Sequence, residues 1–225
     1  MPNVTEERAK YIPSFGRRGG KSIKKNKREK FETLLPELEI SVDELGNIPT
    51  QQTWLEIGFG GGEHLVHRAK TNPEINYIGS EVYKYGVAKL VNEIAESDIK
   101  NIRLFTDDAR LMLDALPNNS IDGVYILFPD PWPKIRHHKR RIINNETLEI
   151  LSRILKSGGK LNIATDHWEY AEWVFVQMNQ RDDFKWLAER KSDWETPPEG
   201  HIQTRYQEKN KAQTNYPLFL NFERI

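Results

Sequence analysis

The chain has 225 residues, 37% of them hydrophobic, and its 33 basic and 33 acidic side chains give a formal net charge of zero. A chain of this length folds as a single domain that buries roughly 70% of its surface, so it needs neither disulfides nor a structural metal. It contains no cysteine. This excludes a disulfide framework, a thiol nucleophile and a cysteine-ligated zinc site, and it agrees with a cytoplasmic location.

The N-terminal segment is strongly basic and lacks the apolar core of a secretion signal, and no stretch of the chain reaches the ~20 apolar residues of a membrane span. Residues 1 to 30 hold ten basic and three acidic side chains, and KIRHHKRR at 134 to 141 holds five basic and no acidic ones. Two basic segments on an otherwise acidic chain indicate a polyanionic partner that approaches from one side, although simple solvation also explains a basic tail. We therefore expect a basic, mobile arm over residues 1 to 30 and one domain over residues 31 to 225.

After the arm, short β-rich apolar runs alternate with segments of helical periodicity. The predicted strands cover residues 53–58, 76–81, 102–106, 121–128 and 160–165, and two final strands cover 184–190 and 216–225. The predicted helices cover His64 to Lys70, Tyr83 to Ser97, Arg110 to Ala115, Asn145 to Lys156 and Glu169 to Gln180, with Gly158 and Gly159 as the stop of the fourth. This alternation predicts an α/β, Rossmann-like fold: a mostly parallel twisted sheet with helices on both faces and an antiparallel strand near the C-terminus. Ligands of such folds bind at the carboxyl ends of the strands.

The first predicted strand ends in a glycine-rich turn that runs from Glu56 to Gly62, with the sequence EIGFGGG. Such a turn lets the backbone and its N–H groups approach a ligand closely. The third glycine of the dinucleotide fingerprint is replaced by Glu63, whose carboxylate would face a pyrophosphate, and no Gly-Lys-Ser/Thr of a phosphate loop follows. The spacing E-x-G-x-G-x-G is instead that of the first motif of S-adenosylmethionine-dependent methyltransferases, which makes Glu56, Gly58 and Gly60 candidate cofactor residues.

Two more carboxylates follow the next two predicted strands. Glu81 is placed to accept hydrogen bonds from ribose hydroxyls, and Asp108, in the pair Asp107-Asp108, is placed to accept from an adenine amino group. No arginine stands beside Glu81, so the pattern suits an uncharged ribose and a cationic sulfonium better than a phosphorylated cofactor. Each acid taken alone is also explained as a turn or cap residue, but their position after consecutive strands favours a binding site.

The fourth predicted strand runs into Phe-Pro-Asp-Pro-Trp-Pro-Lys at 128 to 134 and then into the basic segment. Three prolines within five positions restrict the backbone, so Asp130 is held in place. Trp132 offers an aromatic face for a base, and the basic residues offer partners for phosphates. The alternative is a proline-stiffened turn beside a solvated run of charge. The two histidines of the segment have no further ligands in the sequence pattern, so no metal site is expected.

The sequences LEIGFGGGEHL, ILFPDPWPKIRHHKRR, ATDHWEYA and TRYQEK strongly resemble those of the tRNA (guanine-N7-)-methyltransferases, and the resemblance covers nearly the whole chain. It implies a class I methyltransferase fold, and transfer of a methyl group from S-adenosylmethionine to N7 of a guanosine in the tRNA variable loop, which forms 7-methylguanosine. It also implies that the basic arm binds tRNA.

The resemblance assigns roles to residues. It implies that Glu56, Glu81 and Asp108 bind the cofactor and that Asp130 serves both the cofactor and the catalytic centre. It further implies that the tRNA or its guanine is contacted by Lys134, Asp166, Thr204, Arg205, Tyr206 and Gln207. Where the family usually has T-x-F/Y-E, this chain has Gln207, which accepts a hydrogen bond but carries no charge.

Guanine N7 has a lone pair and no proton, so its methylation requires no general base. Because N7 must stay free, recognition is expected at the Watson–Crick edge, where Asp130, helped by Asp166, accepts from N1–H and the exocyclic amine.

Other functions remain open at this stage. An amino-methyltransferase that acts on adenine or cytosine is one, since Asp130-Pro131-Trp132 loosely resembles the (D/N)PP(Y/F/W) motif. A catalytically inactive tRNA-binding module is another, and a nicotinamide-dependent enzyme is a third. The sequence leaves the oligomeric state open between monomer and homodimer.

Overall fold

The computed structural model describes residues 25–48, 51–202 and 216–225. Within these residues the strands are β1 (Thr53–Ile57), β2 (Asn76–Ser80), β3 (Ile102–Phe105), β4 (Ile121–Leu127), β5 (Leu155–Thr165), β6 (Phe184–Trp186) and β7 (Leu218–Arg224). The helices are α1 (Lys25–Leu38), α2 (Val42–Leu45), α3 (Glu63–Thr71), α4 (Lys84–Ser97), α5 (Ala109–Ala115), α6 (Asn145–Ile154), α7 (Trp168–Met178) and α8 (Ser192–Glu195), with a 3₁₀-helix at Ile135–Arg140. The arm expected over residues 1 to 30 overlaps the start of α1, and its residues 1 to 24 lie outside the described residues.

The strands form one sheet in the order β3-β2-β1-β4-β5-β7-β6. The pairs among β1 to β5 are parallel, and β7 runs antiparallel to both of its neighbours, β5 and β6. The predicted fold, mostly parallel with an antiparallel strand near the C-terminus, is therefore confirmed. The chain reverses its direction of winding between β1 and β4, which opens a crevice at the carboxyl ends of those two strands. In the described part of the chain, no helix is both long and apolar enough to cross a membrane.

Helices cover both faces of the sheet. On one face α5, α6 and α7 bury side chains such as Leu113, Leu151 and Val174 against the strands, and on the other α3 and α4 bury Leu65 and Leu90. Each of these five side chains is completely removed from solvent. Since full burial of such a side chain contributes about 1.5–3 kcal/mol, these two layers fix the sheet from which the loops at its carboxyl edge extend.

Helix α1 protects the outer edge of the sheet at β3. Its apolar residues Phe31, Leu34, Leu35 and Leu38 recur at helical spacing and pack on the core. Beyond the helix, the Ile40 N–H donates to the Leu104 carbonyl at 2.9 Å, and Arg103 Nε donates to the Leu38 carbonyl at 3.1 Å. These bonds use backbone groups near the edge that would otherwise invite pairing with another chain.

Several predicted boundaries differ from the structure, chiefly where α6 ends and β5 begins and at the end of β6. The helix expected to reach Lys156 ends at Ile154, because Leu155 is extended and pairs with Ile121 of β4. Gly158, with φ +80°, therefore lies in an irregularity of β5 and is not the stop of the helix. The strand expected over 184 to 190 ends at Trp186, as the chain turns toward the short helix α8.

Replacement of Gly86 by alanine should destabilise the fold. A Cβ at Gly86 would lie 2.0 Å from the carbonyl oxygen of Gly60, so α4 would have to move away from the turn after β1. Overpacking of this kind costs roughly 1–3 kcal/mol of the free energy of unfolding, measurable by urea denaturation.

The matched control is Gly46→Ala. Gly46 has φ −64°, and a Cβ there would have its nearest neighbour at 3.7 Å. Its free energy of unfolding should stay the same or rise by up to about 1 kcal/mol. Equal stabilities for the two variants would show that the close approach of α4 to the turn is not a constraint.

Candidate functional site

The carboxyl ends of the five parallel strands meet at one edge of the sheet, and each is followed by a segment that contains predicted site residues. The glycine turn follows β1, Glu81 follows β2, the pair Asp107-Asp108 follows β3, the proline-rich loop at 128–133 follows β4 and Asp166 follows β5. The sheet therefore brings residues from separate parts of the sequence to a single edge.

The glycine turn after β1 presents open backbone. Gly58, Gly60 and Gly62 have φ values of +75°, +56° and +77°. Residues other than glycine rarely adopt this backbone conformation. A Cβ built at Gly58 or Gly60 would meet nothing within 4 Å among the described residues. The turn thus leaves room for a ligand to lie directly against the main chain.

Glu81 holds this turn in place. Its two carboxylate oxygens accept the N–H groups of Gly60 and Tyr83, each at 2.9 Å. Burial raises the pKa of Glu81, the backbone N–H groups oppose that rise, and the negative charge of Asp130 adds to it. The carboxylates after β2 and β4 thus act on each other electrostatically, and an arrangement of two acids favours a cationic ligand.

Glu56 lies inside the protein, with 3% of its surface exposed. Its carboxylate is 2.8 Å from Nδ1 of His64, in the first turn of α3, and the His64 ring packs edge-on against Tyr125 with centroids 4.6 Å apart. The structure therefore gives Glu56 a buried partner that joins the strand to the helix after the glycine turn. A direct contact of Glu56 with a cofactor stays a prediction.

Asp108 is the N-cap of α5 and accepts the Arg110 N–H at 3.1 Å. It also accepts from Nε of the Arg110 side chain at 2.9 Å, and the two side chains are only 14% and 18% exposed. The prediction from the sequence placed Asp108 to accept from an adenine amino group and did not identify this ion pair. The signal was the arginine two residues after a capping aspartate, which places both groups in the first turn of one helix.

The proline-rich loop after β4 is strained on both sides of Asp130. Phe128 and Trp132 have φ values of +52° and +43°, which are unusual for bulky side chains. The Phe128 N–H donates to the Ala164 carbonyl of β5 at 2.7 Å and anchors the start of the loop. Strain of this kind persists only where the surroundings enforce it, and it concentrates at functional sites.

Asp130 and Asp166 lie on neighbouring strand ends and differ in exposure. The Asp130 side chain is exposed to solvent, but the surrounding protein partly desolvates its carboxylate, and this desolvation raises the pKa of Asp130. Asp166 is buried, and burial raises its pKa as well, although His167 opposes the shift. Both carboxylates are thus poised to be stabilised by hydrogen-bond donors from a ligand.

The basic segment at 134 to 141 has two kinds of residues. Lys134, Arg136 and Lys139 are exposed. The Arg140 guanidinium lies 5.0 Å from the centre of the Trp132 ring, and Arg141 is only 3% exposed. The expectation that the whole run contacts phosphates therefore does not hold for Arg141. The predicted residues Thr204, Arg205, Tyr206 and Gln207 lie outside the described residues.

Comparison with known proteins agrees with this arrangement. A family model described as "Putative methyltransferase" matches residues 50–218. Two solved structures have the same fold: an antibiotic-related methyltransferase (TM-score 0.55, 17% identity, 83% of this chain and 96% of that one) and an rRNA methylase from Streptococcus thermophilus (TM-score 0.53, 16% identity, 82% and 93%). The class I methyltransferase fold expected from the sequence is thereby confirmed.

Curated relatives are similar over nearly their full length. The tRNA (guanine-N(7)-)-methyltransferase of Rhodospirillum rubrum is 39% identical, over 100% of this chain and 91% of that protein. The enzyme of the same name from Rhizobium meliloti is 41% identical, over 93% of this chain and 94% of that protein. Similarity at this identity and coverage shows that the chain belongs to the tRNA (guanine-N(7)-)-methyltransferase family.

Proposed function

We propose that this protein transfers a methyl group from S-adenosylmethionine to N7 of a guanosine in tRNA, forming 7-methylguanosine. The variable loop as the location of that guanosine follows from the family resemblance. The observation that carries the proposal is the convergence, at one sheet edge, of an open glycine turn, the neighbouring carboxylates of Glu81 and Asp130, and a strained loop that leads into exposed basic side chains. A tRNA substrate also agrees with a cytoplasmic location.

The residues of the site fit the methyl donor. S-adenosylmethionine supplies a methyl group attached to a positively charged sulfur. Gly58 and Gly60 leave their backbone open to a ligand, Glu81 is fixed by two N–H donors beside the turn, and Asp108 caps the helix after β3. Glu81 would hold the ribose hydroxyls and Asp108 the adenine amine, while the acids near the strand ends favour the positive charge.

Asp130, helped by Asp166, would hold the guanine. A carboxylate accepts from both N1–H and the exocyclic amine, a pair of donors that distinguishes guanine from the other bases. This leaves N7 free to react, whereas the usual arginine fork on O6 and N7 would block it. Because N7 carries no proton, Asp130 acts by orientation and charge and need not serve as a base.

The charge of the product gives a second role to the same carboxylate. Methylation of N7 places a positive charge on the purine ring, and a partly desolvated carboxylate beside the ring stabilises that charge. The other contribution to the rate is alignment of the two reactants in a site that excludes water. In oriented systems such alignment lowers the activation free energy by up to roughly 7–11 kcal/mol.

The tRNA backbone would meet the exposed basic residues Lys134, Arg136 and Lys139, and the basic arm at 1 to 30. We propose that the arm binds phosphates and that the segment from Thr204 to Gln207 contacts the same substrate. Phosphate contacts offset the few kcal/mol needed to expose a guanine from the folded tRNA.

Incubation with unmodified tRNA and labelled S-adenosylmethionine, followed by nuclease digestion and mass spectrometry, tests the proposal. Label in 7-methylguanosine supports it. Label in N-methylated adenosine or cytidine would instead show an amino-methyltransferase, and tight binding of tRNA without label would show an inactive binding module. The curated relatives favour the first outcome.

Replacement of Asp130 by asparagine should separate activity from stability. We expect kcat to fall by at least about 100-fold, the loss that follows from misplacement of a reactant by about 1 Å. The pKa of Asp130 is raised in the folded protein, so its contribution to stability is present below the unfolded pKa and is lost as pH rises through the folded pKa. Asp130→Asn should therefore be at least as stable as the wild type at neutral pH.

Urea denaturation at several pH values measures the second part of this prediction. Any gain in the free energy of unfolding of the Asp130→Asn variant over the wild type should shrink as pH falls through the pKa that Asp130 has in the folded protein, toward the ordinary aspartate value of about 3.9. Full turnover in the variant, with unchanged cofactor affinity, would show that Asp130 is not part of the catalytic centre.

Deletion of residues 1 to 24, a segment with six basic and two acidic side chains, should weaken tRNA binding. The slope of log Kd against log salt concentration should fall by roughly 0.7–0.9 for each phosphate that the truncated protein no longer neutralises. The affinity for S-adenosylmethionine should barely change. Identical salt slopes for the truncated and full-length proteins would exclude the arm from the tRNA interface.

A further inference from the structure

Arg141 closes the loop that carries Asp130. Its Nε donates to the Pro131 carbonyl at 2.8 Å and a terminal nitrogen donates to the Trp132 carbonyl at 3.4 Å. Prolines at 129, 131 and 133 have no N–H, so the loop has few donors of its own for its carbonyls. The start of the loop is tied to β5 through Phe128, and Arg141 ties the end.

The Arg141 guanidinium is buried between this loop and α7. It lies 4.8 Å from the centre of the Trp173 ring and 5.6 Å from that of Tyr170, which is fully buried. A buried cation is tolerated only when hydrogen bonds and aromatic faces compensate for its lost hydration, and the two carbonyls and two rings provide both. A side chain that is 3% exposed cannot at the same time hold a phosphate in solvent.

The same guanidinium connects the loop to the second carboxylate of the site. Helix α7, which contributes Tyr170 and Trp173, begins at Trp168, two residues after Asp166. The Trp173 Nε1 donates to the Ile143 carbonyl at 2.6 Å, so α7 is also fastened to the segment that follows Arg141. Arg141 therefore spans the loop with Asp130 and the helix whose start follows Asp166.

We propose that Arg141 is a positioning residue that sets the placement of Asp130 and Trp132 relative to Asp166 for the incoming guanine. The inference rests on the proposed function, since the placement matters for the base to be methylated. Arg141 belongs to the basic segment by sequence but acts inward on the site, whereas its neighbours act outward on tRNA.

The test compares Arg141→Lys with Arg190→Lys, a matched change at an arginine that belongs to neither the proposed site nor the basic segments and whose side chain is 82% exposed. Both variants keep the charge. Lysine lacks the planar fork and the stacking face of arginine, so only the buried site should suffer from the change. We expect kcat of Arg141→Lys to fall by about 100-fold at saturating tRNA, with unchanged salt slope for tRNA binding, and kcat of Arg190→Lys to stay within about threefold of the wild type.

Hydrogen exchange in the free protein provides a readout that does not depend on activity. Residues 128 to 133 carry amide protons only at Phe128, Asp130 and Trp132, because the others are prolines. Arg141→Lys should accelerate exchange in the peptide that covers them and leave the amides of β1 and β4 at the wild-type rate. Unchanged β-strand amides also show that the variant is folded.

A third measurement is chemical rescue of Arg141→Ala by millimolar methylguanidinium, which should restore part of kcat, whereas tRNA affinity lost in Arg136→Ala should not return.

Wild-type kcat and loop exchange in Arg141→Lys would overturn the proposal, as would a defect confined to the KM for tRNA with a flattened salt dependence. If the wild type and Arg190→Lys also fail to methylate tRNA, the proposed function is wrong, and the exchange rates still decide whether Arg141 holds the loop.

Discussion

The arrangement of the site depends on the carboxylate of Glu81. This one group accepts the Gly60 N–H after β1 and the Tyr83 N–H before α4, so it joins two crossovers of the sheet at the point where a ligand would lie. The close approach of Gly86 to the Gly60 carbonyl adds a steric limit on the same side. Because the turn is held from both sides, its open backbone keeps a defined shape without a ligand to support it, which lowers the entropic cost of binding.

A second constraint acts on the loop after β4. Phe128 and Trp132 adopt strained backbone conformations on either side of Asp130, and the strain is balanced by the bond from Phe128 to β5 and the bonds from Arg141 to the loop carbonyls. Burial of Arg141 has an energetic cost that packing against α7 offsets. A rigid loop suits chemistry that requires no proton transfer, since orientation is then the main contribution that the protein makes to the rate.

The strand ends and the segment that follows this loop differ in charge. Glu81, Asp130 and Asp166, which follow β2, β4 and β5, have raised pKa values, whereas Lys134, Arg136 and Lys139, in the segment after the loop, are exposed. The net charge of zero conceals this separation. A cationic donor and a polyanionic substrate would thus be attracted to adjacent surfaces, which follows from local fields and not from the overall charge.

The sequence by itself determined the alternation of strands and helices, the glycine turn and the acids at successive strand ends, because these depend on local periodicity and on residue types at fixed spacing. It misplaced the end of α6, since the pairing of Leu155 with Ile121 is a contact between distant parts of the chain. Only the tertiary structure decided the partners of two charged groups: His64 beside Glu56, and Arg141 beneath the loop. The physical reason is that sequence spacing shows where a charge occurs along the chain, whereas burial and the direction of a side chain, which set what the charge does, arise from packing.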